Sequence, residues 1–154
     1  MNKNPLLVLE EFGQSVWLDY LSRGAMDNGT LQRLIDQDGL SGLTSNPSIF
    51  EKAIARSNDY DRAIRALAIK GKSIEEIYQI LTVEDIQRAA DLFRPTFDRL
   101  KGADGFVSLE VSPNLAHNTT GTITEAHQLW EAVNRPNLFI KVPATREGLP
   151  AIQQ

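Results

Sequence analysis

Asn137-Leu138-Phe139-Ile140-Lys141-Val142 is entered from Pro136 and stopped by Pro143, and Lys141 is its only charge. A strand with one wet face alternates apolar and polar residues. A near-continuous apolar run is what a parallel strand shows when helices cover it. Phe106-Val107-Ser108-Leu109-Glu110-Val111, bounded by Gly105 and Pro113, reads the same way, with Glu110 as its charge. Ser15-Val16-Trp17-Leu18, closed by Asp19, is a first strand. Gly39-Leu40-Ser41-Gly42-Leu43-Thr44-Ser45 is a second, weakened in propensity by its glycines.

Helices fill the gaps. Ser73-x-x-Glu76 and Thr122-x-x-Glu125 are capping boxes, and Thr82-x-x-Asp85 is a close relative. Apolar stripes at helical spacing run through Ile74, Ile77, Tyr78 and Leu81, and through Tyr60, Ile64, Leu67 and Ala68. Another joins Ile123, Ala126, Trp130 and Val133. Val83, Ile86, Ala90 and Phe93 begin a helix that Pro95 should kink or end. Strand and helix alternating in this way give an α/β protein with a parallel sheet. A doubly wound open sheet and a (β/α)8 TIM barrel both fit that pattern.

Composition narrows the function classes. The 154 residues carry 16 basic and 20 acidic side chains, a net charge of −4, without a basic cluster to meet a phosphate backbone. Nucleic acid is therefore not an expected partner. The absence of cysteine excludes disulfides, thiolate metal sites and a cysteine nucleophile. Met1 to Glu11 holds only the short apolar run Leu6-Leu7-Val8-Leu9 before two acids, too short for a leader or a membrane span. A cytoplasmic location is expected. The sequons at Asn28 and Asn118 read as loop and cap chemistry. His117 and His127 lack partners at ligand spacing, so no metal is expected, and His127 is assigned to packing or solvent.

Each strand run ends in a polar group: Asp19, Asn46, Glu110 and Lys141. Ligands of parallel α/β folds bind at the carboxyl ends of the strands. Residues i and i+2 share a face, so Trp17 goes with Asp19, Thr44 with Asn46, Ser108 with Glu110, and Phe139 with Lys141. All four polar groups can then face one basin. Singly, each has a plain structural reading. Lys141 could be a solvated edge lysine, Glu110 a buried structural acid, Asp19 a cap of the next segment. Asn46 before Pro47 is a good helix N-cap and first-turn pair. Alternatively, a lysine among apolar neighbours tends to lose its proton, and a neutral amine can attack a carbonyl to form a Schiff base. The joint pattern favours chemistry.

Gly42-Leu43-Thr44-Ser45-Asn46-Pro47-Ser48-Ile49-Phe50 resembles the first signature of the transaldolase family. Phe139-Ile140-Lys141-Val142-Pro143-Ala144-Thr145-Arg146-Glu147-Gly148-Leu149 resembles the second, which holds the Schiff-base lysine. Val107 to Pro113 is similar to the strand with the family's catalytic glutamate, and Val16-Trp17-Leu18-Asp19 to the one with its aspartate. The sequence looks close to the branch fused to a phosphoglucose isomerase. The resemblance implies a (β/α)8 barrel of class I aldolase type, with no cofactor and sugar-phosphate substrates. Lys141 would attack the ketone of fructose 6-phosphate or sedoheptulose 7-phosphate, and Asp19 would take the C4 hydroxyl proton. Glu110 would shuttle protons through a water, and Asn46 would bind substrate hydroxyls with Thr44 or Ser45 in support. A dihydroxyacetone unit would pass to an aldose phosphate, a step of the pentose phosphate pathway.

A barrel of this kind needs ~250 residues and eight strands. Residues 1–154 are therefore expected to be the N-terminal half of a transaldolase barrel, carrying the first four strands. The family's phosphate-gripping arginine has no counterpart, and Arg146 is only a weak candidate. Such a half is expected to be inactive alone, and to self-associate or to need a missing C-terminal half. The competing functions are a lyase of the fructose-6-phosphate aldolase type, and a silent interaction module using helix faces between residues 57 and 100. Among the lysines, Lys141 alone lies in an apolar strand, whereas Lys3, Lys52, Lys70, Lys72 and Lys101 read as open to solvent.

Overall fold

The apolar runs are strands β1 (Val16–Asp19), β2 (Leu40–Thr44), β3 (Val107–Glu110) and β4 (Leu138–Lys141) in a computed structural model that describes residues 4–154. The beginning of the segment read for a leader, and Lys3, lie outside the described residues. Every pairing is parallel and the order is β1-β2-β3-β4. This topology separates the two architectures. A doubly wound sheet reverses its strand order at a switch point, whereas consecutive parallel neighbours are successive strands of a barrel wall. The chain forms four strands of such a wall. Among the described residues β1 pairs only with β2, and β4 only with β3.

Among the described residues eight α-helices accompany the strands: α1 (Pro5–Glu11), α2 (Arg23–Asp27), α3 (Thr30–Asp38), α4 (Pro47–Ala55), α5 (Asp61–Ile69), α6 (Ile74–Arg99), α7 (Thr119–Val133) and α8 (Gly148–Gln153). None of them is long and apolar enough to cross a membrane. The core lies between the sheet's outer face and these helices. Leu43, Val107, Leu109 and Leu138 from the strands meet Ile86, Ala90 and Phe93 of α6 and Leu129 and Val133 of α7. Full burial of each large apolar side chain contributes about 1.5–3 kcal/mol.

Several helical expectations need correction. The Ser73–Glu76 capping box forms as expected. Thr82 and Asp85, however, lie inside α6, which runs on through Pro95 to Arg99. Pro95 is exposed, so the carbonyl it cannot bond lies on the wet side of the helix, while buried Phe93 and Thr96 hold the other side. Thr122 does not cap α7. Asn118 does so earlier, accepting from the Gly121 amide, and the Thr122 hydroxyl donates to the Leu115 carbonyl. Glu125 accepts instead from the Ser112 amide. Trp130 is exposed because the buried face of α7 runs through Thr122, Leu129 and Val133. Ile74 is exposed at the start of α6, and Tyr60 is buried just ahead of α5. Both sequons serve as expected: Asn28 accepts from the Thr30 amide, and Asn118 is the cap.

Asp85 is the buried charge of this layer. Its two oxygens accept from Arg23 Nε and from the Tyr60 hydroxyl, each at 2.7 Å, tying α2 and the start of α5 to α6. Burial pushes the Asp85 carboxyl up, opposed by the Tyr60 hydrogen bond and Arg23. Burial also pushes the Tyr60 phenol up, with the Asp85 hydrogen bond adding to it, which keeps it a donor. Asp85→Ala would strand a guanidinium and a hydroxyl away from water. A loss of about 3 kcal/mol is expected in urea unfolding, and a loss below about 1 kcal/mol would show that the network is replaceable.

The inner face carries rings. A bulge between Val16 and Trp17 sets Trp17 opposite Gly42, and a Cβ on Gly42 would lie 2.3 Å from the indole. Only glycine admits the indole there. Phe106 stacks on Phe139 at 4.0 Å, and Trp17 stacks near Phe139 at 6.4 Å between centroids. β1 and β4 are three strand spacings apart, about 14 Å in a flat sheet. Their inner rings come within stacking range because the sheet curls into an arc. Trp17 and Phe139 remain 37% and 46% exposed on its concave side.

Candidate active site

The carboxyl ends of β2, β3 and β4 converge on the Lys141 side chain. The register pairs Glu110 with Lys141, so both side chains share the concave face at one level. Lys141 Nζ lies 3.3 Å from Glu110 Oε2 and donates to the Ser45 carbonyl at 3.0 Å and to Thr44 Oγ1 at 3.3 Å. Its side chain is 39% exposed. The expectation that apolar neighbours enclose it is corrected: the strand is apolar, but the amine reaches past it to a carboxylate, a hydroxyl and a carbonyl. Three acceptors match the three protons of an ammonium.

The first signature stretch contributes through its backbone as well. Ser45 is fully buried and its hydroxyl donates to the Ser108 carbonyl at 2.7 Å. What Ser45 presents to the lysine is its carbonyl, while its side chain clamps β2 to β3. Thr44 faces the concavity and accepts from Ser108 Oγ at 3.0 Å. Ser108 is the member of this cluster that sequence reasoning passed over. Its shared parity with Glu110 was the available signal.

Asn46 caps α4, its Oδ1 accepting from the Ile49 amide at 3.0 Å, with Pro47 in the first turn. The structural reading of that pair is therefore realised. The same asparagine also lines a cleft of about 610 Å³ with Glu110, Tyr78 and Glu125. Burial, with Glu110 and then Glu125 nearby, pushes the Tyr78 phenol up. Asp19 stands apart. It is exposed at the end of β1, on the opposite edge of the sheet from Lys141, and shares no hydrogen bond or ion pair with the lysine cluster. Nor does it cap the following helix, since the Ser22 hydroxyl caps α2.

Among the described residues no three His, Asp or Glu side chains are placed to hold a metal ion. His117 Nδ1 lies 3.3 Å from Glu147 Oε2 at the surface, and His127 is exposed. Arg146, in the loop after β4, is also exposed.

A convergent lysine–carboxylate pair at the carboxyl end of a barrel wall can be compared with known proteins. The family model described as "Transaldolase/Fructose-6-phosphate aldolase" matches residues 16–154. A transaldolase of Thermobifida fusca is 50% identical over 149 residues, covering 97% of this chain and 40% of its own length. Transaldolase 2 of Streptomyces coelicolor is 49% identical over 146 residues, 95% of this chain and 39% of its own. A transaldolase of Trichodesmium erythraeum is 47% identical over 152 residues, 99% and 40%. The chain thus spans about 40% of the length of the curated relatives it matches. With its four-stranded arc and its lysine cluster, the chain belongs to the transaldolase/fructose-6-phosphate aldolase family.

Proposed function

We propose that these residues carry the imine-forming part of a transaldolase, in which Lys141 takes a dihydroxyacetone unit from a ketose phosphate and an aldose phosphate accepts it. The observation that carries the reading is the Lys141 amine held by Glu110, Thr44 and the Ser45 carbonyl at the carboxyl ends of three strands. Glu110 accepts a proton from the ammonium. The freed nitrogen attacks the ketone carbon and the carbonyl electron pair moves to oxygen, which takes a proton. Loss of water then gives the imine. Asp19 takes the C4 hydroxyl proton as the carbon–carbon bond breaks, and Asn46 and Thr44 bind substrate hydroxyls. Fructose 6-phosphate and sedoheptulose 7-phosphate are the donors in this reading, which places the reaction in the pentose phosphate pathway and the cytoplasm.

The residues supply the first four β/α units of the barrel in this proposal. The exposed Trp17 and Phe139 rings and the two open strand edges are the surfaces that further strands, or a second copy, would cover. Borohydride added with dihydroxyacetone or fructose 6-phosphate is expected to fix a mass increment on the Lys141 peptide. Imine trapping needs only groups present in the chain. No increment with either ketone, in the full-length protein as well as in this chain, would end the reading. Release of the three-carbon unit without erythrose 4-phosphate would favour the lyase reading, to which the second half of the family's name belongs.

A further inference from the structure

The hydroxyl that holds the Lys141 amine is itself held. Ser108 is 3% exposed, and its Oγ lies 3.0 Å from Thr44 Oγ1. The Ser108 carbonyl is taken by the Ser45 hydroxyl, and Thr44 Oγ1 is the one acceptor for the Ser108 hydroxyl among the described residues. A hydroxyl has one proton and two lone pairs, and a buried proton without an acceptor is costly. Ser108 therefore donates to Thr44. Lys141 Nζ donates to the same oxygen. With both lone pairs engaged, Thr44 keeps only its own proton, directed at neither partner and open to a ligand oxygen.

We propose that Ser108 is a positioning residue for the Lys141 reaction: its donation to Thr44 fixes that hydroxyl as an acceptor for the amine and turns the Thr44 proton towards the bound ketone. The inference rests on the imine reading of Lys141. Without Ser108 Oγ one lone pair of the Thr44 hydroxyl is released, and its proton can turn onto the amine lone pair that must attack.

The test is borohydride trapping of dihydroxyacetone on Lys141 in the full chain, read on the Lys141 peptide. Wild type, Ser108→Ala, Thr44→Val and the double variant are compared. Ser108→Ala is expected to slow trapping at saturating dihydroxyacetone about five- to tenfold, the worth of one hydrogen bond, with the half-saturating concentration unchanged. The double variant is expected to be no slower than Thr44→Val, because Ser108 acts through Thr44. Thermal melts run alongside, and if Ser108→Ala does not fold, Ser108→Cys, of similar outline and a weak donor, carries the same expectation. An unchanged rate, or single effects that multiply in the double variant, would overturn the inference and leave the imine reading standing. No adduct in wild type would overturn both.

Discussion

Lys141→Arg is expected to remove the borohydride-fixed adduct from this chain entirely. The guanidinium stays protonated and offers no lone pair to a carbonyl. It can still reach the Glu110 carboxylate that now lies 3.3 Å from the amine, so the arc and its melting temperature should survive. The other described lysines lack such a setting. Lys72 is paired with Glu76 at 2.7 Å, and Lys52, Lys70 and Lys101 are exposed on helices or turns. Peptide mapping after reduction decides the matter. An adduct forming in Lys141→Arg as fast as in wild type would move the chemistry to another residue.

Glu110→Gln should slow imine formation by ~10²–10⁴-fold, the usual worth of a lost general acid–base group. Glutamine keeps the shape and can still accept from the amine, so the loss isolates proton transfer from packing. Among the described residues Glu110 is the only carboxylate ion-paired with Lys141. Asp19→Asn is expected to lose carbon–carbon cleavage over the same range, at a later point in the reaction. Single-turnover mixing of the full-length enzyme, with the barrel complete, and fructose 6-phosphate reads both steps. Near-normal rates in both variants would return the two carboxylates to structural roles.

The strands were legible because their apolar runs are nearly unbroken and are closed by Pro113, Pro143 or a charge. Their order was not. Alternation of strand and helix is common to open sheets and barrels, and only the pairing of β1 through β4 in sequence separates them. Lys141, Glu110 and Thr44 were placed on one face by a period of two, and the register brings them together. The amine's surroundings were hidden, because the Ser45 carbonyl and the Thr44 hydroxyl come from a strand almost a hundred residues away. The two misplaced cap patterns, at Thr82 and Thr122, share one cause. Cap patterns such as Thr82-x-x-Asp85 also arise inside a helix, where Asp85 serves Arg23 and Tyr60 across the layer instead. Asp19 was grouped with the others by its place at a strand end, and its separation from Lys141 depends on strand order.

The ring contact of Trp17 with Phe139 joins the first strand to the last. Closing so long a loop is entropically costly until the intervening strands and helices already hold its ends near each other. The stack can therefore form only when β2 and β3 are in register and the sheet has curled. Its formation is the chain's own signal that the arc has closed, and the indole of Trp17 carries that signal optically.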